Sequence, residues 1–137
     1  MRVYIKQNMV ETILKISEKV YPKEFIGLLD GKIDSKNDHK QTLVDINKLI
    51  IPSGSIPGRG FASYQIYRTP YRSIGTVHSH PSNSTPSPQD LNIFLQNGIV
   101  HIIVSPPYTF SDINVYDKHG NKIEDVEFYG DDLNEWK

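Results

Sequence analysis

The stretch Ile99 to Val104 is apolar at every position except His101. It is far short of the ~20 apolar residues of a membrane span, and it predicts a strand covered on both faces. Such a strand needs a sheet around it and helices packed over that sheet. Other segments carry matching patterns. Asn8 to Tyr21 has helical spacing at Met9, Ile13, Ile16 and Val20, with Asn8 as N-cap, Glu11 three residues later and Pro22 just past the end. Phe25 to Leu29 reads as a strand closed by the turn pair Asp30-Gly31, and the polar stretch Lys32 to Gln41 leads to a second strand at Leu43 to Ile51. Ile74 to His80 reads as another strand. A second helix follows, with Ser87 as N-cap, Pro88 at the first helical position, Leu91, Phe94 and Leu95 on one face, and Asn97-Gly98 at its end. Ile113 to Tyr116 and Ile123 to Phe128 flank Lys118-His119-Gly120-Asn121 and read as a hairpin. The expectation is an α/β chain: a single mixed β-sheet flanked by helices.

The 137 residues suit one domain spanning 1–137, with a polar stretch from Gly130 to Lys137 that frays. A chain of this length buries roughly two-thirds of its unfolded surface and needs no covalent staple. Fifteen Lys and Arg against sixteen Asp and Glu give a net charge of -1, which argues against nucleic-acid and membrane-surface partners. With 37% hydrophobic residues and no signal-peptide core after Met1-Arg2-Val3, the expected setting is the cytoplasm. Cysteine is absent. That excludes disulfides, thiolate zinc sites, a cysteine nucleophile and the zinc-deaminase signature, and leaves histidine and carboxylates as the strong metal ligands. Pro52 to Arg72 holds Pro52, Gly54, Pro57, Gly58, Gly60 and Pro70, with room for a short strand at Phe61 to Tyr67. It is long for a connection, and such loops tend to be functional or mobile.

The chemistry concentrates in His78-Ser79-His80-Pro81-Ser82-Asn83-Ser84-Thr85-Pro86-Ser87-Pro88-Gln89-Asp90. Side chains alternate along a strand, so His78 and His80 share one face while Ser79 points away. Two imidazoles about 7 Å apart along a strand can close on one metal ion. Asp90 falls in the first turn of the following helix, which the loop can fold back over the strand end. Two histidines and one carboxylate leave a fourth tetrahedral position open, the pattern of a catalytic zinc site.

Each piece also has a plainer reading. A single His-x-His pair carries little weight in a chain with five histidines. Ser87-x-x-Asp90 is also an ordinary capping box. Glu24, beside Lys23, reads alone as a solvated carboxylate, and Pro81, Pro86 and Pro88 as loop stiffeners. His101 reads as a satisfied core histidine, and His39 and His119 as solvated turn residues. The ordered combination is much more specific than its parts.

That combination resembles a known family. Glu24, then His78-Ser79-His80-Pro81, then Ser87-x-x-Asp90 is similar to the signature of the JAMM (MPN+) zinc metalloproteases, in their compact prokaryotic form. Pro22 to Gly31 also resembles the family's segment around its catalytic glutamate, and the likeness extends from the first helix to about Tyr116. The resemblance implies a cytidine-deaminase-like JAMM/MPN fold and one Zn²⁺ held by His78, His80 and Asp90. It implies Glu24 as general acid–base and Ser87 as hydrogen-bond donor to the developing oxyanion. The implied activity is isopeptide or peptide hydrolysis, with a ubiquitin-like or sulfur-carrier protein as the partner. The loop Pro81 to Pro86 is one residue shorter than the family usually has, and this loop sets where Asp90 meets the metal. The alternatives are a catalytically silent binding module of the same fold and a RadC-like protein, which shares a His-x-His-Pro-Ser stretch.

Overall fold

The computed structural model describes residues 1–35, 41–51, 73–83, 85–92 and 98–130. The chain begins with strand β1 (Arg2–Lys6) and passes directly into helix α1 (Gln7–Val20). Strands β2 (Ile26–Asp34), β3 (Leu43–Ile50) and β4 (Gly75–Ser79) follow, then helix α2 (Pro88–Asn92), β5 (Val100–Val104), β6 (Ile113–Asp117) and β7 (Val126–Tyr129). The strands form a mixed seven-stranded sheet in the order β6-β5-β4-β2-β3-β1-β7. At its centre, β4 pairs antiparallel with β2 and parallel with β5.

The core lies mainly between α1 and one face of this sheet. Met9, Val10, Ile13 and Leu14 of α1 pack with Val3, Ile5, Leu29, Val44, Ile46, Val77, Ile102 and Val104. Strand alternation sends the intervening residues to the opposite face, where Ile26 and Leu28 of β2 are in register with His78 and Thr76 of β4. Every residue of β5 is buried, as its composition predicts. His101, on the second face, is held between the Thr76 hydroxyl (2.7 Å) and the Gly98 carbonyl (3.3 Å). Because a carbonyl can only accept, Nε2 of His101 donates to Gly98, and Nδ1 has the Thr76 hydroxyl as its partner, so both ring nitrogens are satisfied.

Several sequence expectations need correction. The first helix starts from β1 without a side-chain cap, with Lys6 and not Asn8 at the N-cap position. Its buried stripe is turned towards Val10, Leu14 and Ser17, leaving Ile16 and Val20 at the margin of the core. β1 itself was not anticipated, because three consecutive apolar residues carry no clear period. Asp30-Gly31 does not end a strand. β2 runs through it by a register shift against β3, and a side chain at Gly31 would overlap the Asp45 carbonyl. Ile113 to Phe128 is not a simple hairpin. Tyr116 bridges to Lys122 and Ile123 N–H donates to Val115, but the chain then crosses to pair β7 parallel with β1 at the far edge. That pairing covers an otherwise open edge of the sheet. Phe94, Leu95, Asn97, His39, residues 52–72 with the strand expected at Phe61 to Tyr67, and residues 131–137 lie outside the described residues.

β7 is also fastened by a side chain. The Tyr129 hydroxyl donates to the buried Asp45 carboxylate at 2.6 Å, and Asn47 donates to its other oxygen at 3.0 Å. Burial and this carboxylate together push the Tyr129 phenol well above its usual range. Tyr129→Phe removes a hydrogen bond to a charged group and should destabilise the fold by about 1.5–3 kcal/mol. Urea unfolding with an unchanged m-value is the check, and a loss under ~0.5 kcal/mol would mean that Asp45 is served by solvent.

Candidate metal centre

β4 presents His78 on the face away from α1, and His80 follows just beyond the strand end, where its N–H donates to Val104 at 2.8 Å. The loop after it is organised by Asn83. Its carbonyl accepts from His80 Nδ1 at 2.8 Å, and its side-chain oxygen accepts from Thr85 N–H at 3.0 Å. Ser87 then caps α2. Its hydroxyl accepts from Asp90 N–H at 3.1 Å, while its own N–H donates to Asp90 Oδ2 at 2.8 Å. This is the reciprocal capping box that the sequence suggested.

The cap aims Asp90 at the two imidazoles. Asp90 Oδ1 lies 3.2 Å from His78 Nε2, Oδ2 lies 3.0 Å from His80 Nε2, and the two Nε2 atoms are 3.0 Å apart. All three residues are buried, and the ligand atoms lie within 4.8 Å of one another. The six-residue loop therefore still brings Asp90 to both histidines. Capping and ligand geometry are not rival readings of Ser87-x-x-Asp90, because one carboxylate serves both.

The donor set can be tested by its protons. A carbonyl cannot donate, so His80 Nδ1 must, and the Nε2 of the neutral ring is then a bare lone pair. It faces a carboxylate oxygen and a second imidazole nitrogen in a buried site. With the His80 ring neutral, its Nε2 and Asp90 Oδ2 are two acceptors 3.0 Å apart, a contact that an added proton or a metal ion satisfies. Burial opposes the imidazolium of His80, yet Asp90, the Asn83 carbonyl and Glu24 outweigh it and raise the histidine above its ordinary value. Burial likewise opposes the Asp90 carboxylate, but His78, His80 and the Ser87 N–H hold it well below the usual carboxylate range. Two imidazole nitrogens and one carboxylate are a fitting set for zinc.

Glu24 is half-buried and lies beside this centre. It lines an open cleft of about 550 Å³ with His80, Asn83 and Ser87. Ser79 points to the α1 side, where its hydroxyl accepts from Phe25 N–H at 2.8 Å. His119 is exposed and distant in the chain turn, as expected. The Asn83 carbonyl is the contributor that sequence reasoning missed. A backbone acceptor leaves no residue signature beyond the turn preference of Asn.

A buried His-x-His strand end closed by an aspartate from the first turn of the next helix defines a candidate metal centre on an α/β sheet. Comparison with known proteins agrees. The family of prokaryotic homologues of the JAB domain matches residues 6–116. A Haloferax volcanii protein described as a "probable metalloprotease" is 29% identical over 136 residues, covering 97% of this chain and 83% of that protein. A solved structure described as JAMM, a metalloprotease-like zinc site in the proteasome and signalosome, is 30% identical with a TM-score of 0.66, covering 94% of this chain and 99% of that one. A JAB1/MPN domain protein from Archaeoglobus fulgidus is 31% identical with a TM-score of 0.65, covering 93% and 98%. The chain belongs to the compact prokaryotic JAB/JAMM family. No helix among the described residues is long and apolar enough to cross a membrane.

The proton count gives a pH signature. Without metal, the stability from the raised His80 is fully present below about pH 6.5 and lost as the pH rises through its folded value. A metal displaces that proton, so its affinity rises over the same range. In chelator the melting temperature should fall from pH 6 to pH 8, and with excess zinc the zinc-induced increase should grow. Parallel curves in the two conditions would mean that no metal replaces the proton.

Proposed function

We propose that this protein is a zinc-dependent isopeptidase or peptidase acting on conjugates or precursors of a ubiquitin-like or sulfur-carrier protein. The observation that carries the reading is the convergence of His78, His80 and Asp90 beside a cleft that Glu24 also lines. The complete donor set favours a hydrolase over a silent binding module, which has no use for a buried group of metal ligands. The JAMM family membership favours it over a RadC-like protein.

His78, His80 and Asp90 would hold one Zn²⁺, with the Asn83 carbonyl keeping His80 in the ligating tautomer. The bound metal supplies Lewis acidity that makes water nucleophilic near neutral pH and polarises a carbonyl. Glu24 takes the proton from the attacking water on its carboxylate and returns it to the departing amine. The Ser87 hydroxyl accepts from Asp90 N–H, which leaves its own proton to donate to the oxygen of the scissile carbonyl. The polar cleft beside Glu24 receives the extended end of the modifier, and membership of the family favours cleavage after a Gly-Gly terminus.

Zinc content should be about one per chain and should be lost in His78→Ala. Isopeptide-linked conjugates of ubiquitin-like and sulfur-carrier proteins should be cleaved, and chelation should abolish cleavage. Glu24→Gln should lower turnover by about 10²–10⁴ with zinc retained. Ser87→Ala should lower it by about 10²–10³ and cost about 1 kcal/mol of stability through the lost cap. Full turnover in Glu24→Gln would remove Glu24 from the mechanism, and a stability loss alone in Ser87→Ala would leave capping as that residue's whole role.

A further inference from the structure

The junction between β2 and β4 departs from a regular ladder beside the metal centre. The register Ile26 to His78 and Gly27 to Val77 makes Phe25 and Ser79 the next opposed pair. In a regular antiparallel ladder such a pair exchanges two backbone hydrogen bonds. One of them is present, from Ser79 N–H to Phe25 O at 2.9 Å. The other bond runs from Phe25 N–H to the side-chain oxygen of Ser79, at 2.8 Å. Ser79 is fully buried on the α1 side, and the Phe25 ring is buried in the core on that same side. Glu24, the next residue outward, is directed to the cleft with His80.

We propose that Ser79 is a positioning residue for Glu24: its hydroxyl pins the Phe25 N–H where β2 leaves the ladder, and so aims the neighbouring carboxylate at the metal centre. This rests on the reading of Glu24 as the acid–base group. Residue 79 lies between the two histidines yet faces away from them, so its side chain cannot act on the reaction directly. It acts through the backbone of the residue after Glu24. Without the hydroxyl, the buried Phe25 N–H either goes unsatisfied or closes onto a backbone carbonyl of β4, and either response moves Glu24. A displacement of about 1 Å in a reacting group is enough to lower a rate by ~10².

The test compares wild type, Ser79→Ala, Ser79→Thr, Glu24→Gln and the Ser79→Ala/Glu24→Gln double variant, all loaded with zinc. The probe is a fluorogenic Gly-Gly amide, with zinc content and melting temperature recorded in parallel. Amide hydrogen exchange at Phe25 supplies a readout independent of activity. Ser79→Ala is expected to lower kcat by about 10- to 100-fold, with KM and zinc content within about twofold of wild type. Ser79→Thr should retain most of kcat. Adding Ser79→Ala to Glu24→Gln should cause no further loss, because the positioned group is already gone. Phe25 exchange should accelerate in Ser79→Ala and stay slow in Ser79→Thr. Unchanged kcat in Ser79→Ala, an equal loss in the Glu24→Gln background, or unchanged Phe25 exchange would each overturn the inference. If Glu24→Gln turns the probe over as fast as wild type, the acid–base reading itself fails and the role given to Ser79 falls with it. That result is distinct from failure of the positioning alone, where wild type and Glu24→Gln still differ.

Discussion

One carboxylate ties this site together. Asp90 accepts from Ser87 N–H while its oxygens lie 3.0 and 3.2 Å from two imidazole nitrogens. Without it, strand alternation would leave two buried, tilted imidazoles with no anionic partner. With it, a carboxylate oxygen faces the His80 lone pair, a contact that a proton or a metal ion satisfies. The same residue anchors the start of α2, so ligand geometry and helix position are set by a single group. Moving the cap would move the ligand.

The sheet explains how such a cluster stays rigid. β4 occupies an interior position, paired on both sides, and all of its residues are buried. Its two faces have separate tasks. Val77 packs into the α1 core and Ser79 holds Phe25 on that side, whereas Thr76 and His78 face the other way, towards His101 and Asp90. Close backbone contact at the start of β4 leaves no slack, since a side chain on Gly75 would overlap the Val100 carbonyl. Metal ligands placed at the end of so constrained a strand lose little conformational freedom when an ion binds, which is the economy of building sites on regular elements.

The half-buried Glu24 is placed differently. It comes from the chain just before β2, and it meets His80 only because β2 and β4 pair antiparallel. Its setting is therefore a property of the ladder's end, where a hydroxyl replaces a carbonyl as the acceptor.

Features governed by neighbours in the chain were legible in the residues. The His-x-His alternation, the Ser87 cap three residues before Asp90, the buried run of β5 and the satisfied His101 all follow from local spacing and composition. The resemblance to the JAMM signature added Glu24, which no local rule singles out. Features that depend on distant pairing were not legible. The β2 strand runs through Asp30-Gly31 because β3 accommodates a register shift there. β7 leaves its apparent hairpin for the edge of β1, and the α1 face turns towards Val10 and Leu14 to match the sheet. The bond from Phe25 to Ser79 joins residues 54 positions apart. Sequence alone determined which groups are available and which near neighbours share a face, because backbone geometry repeats over two to four residues. Only the tertiary structure decided which of them meet, because strand register is settled by the packing of the whole sheet.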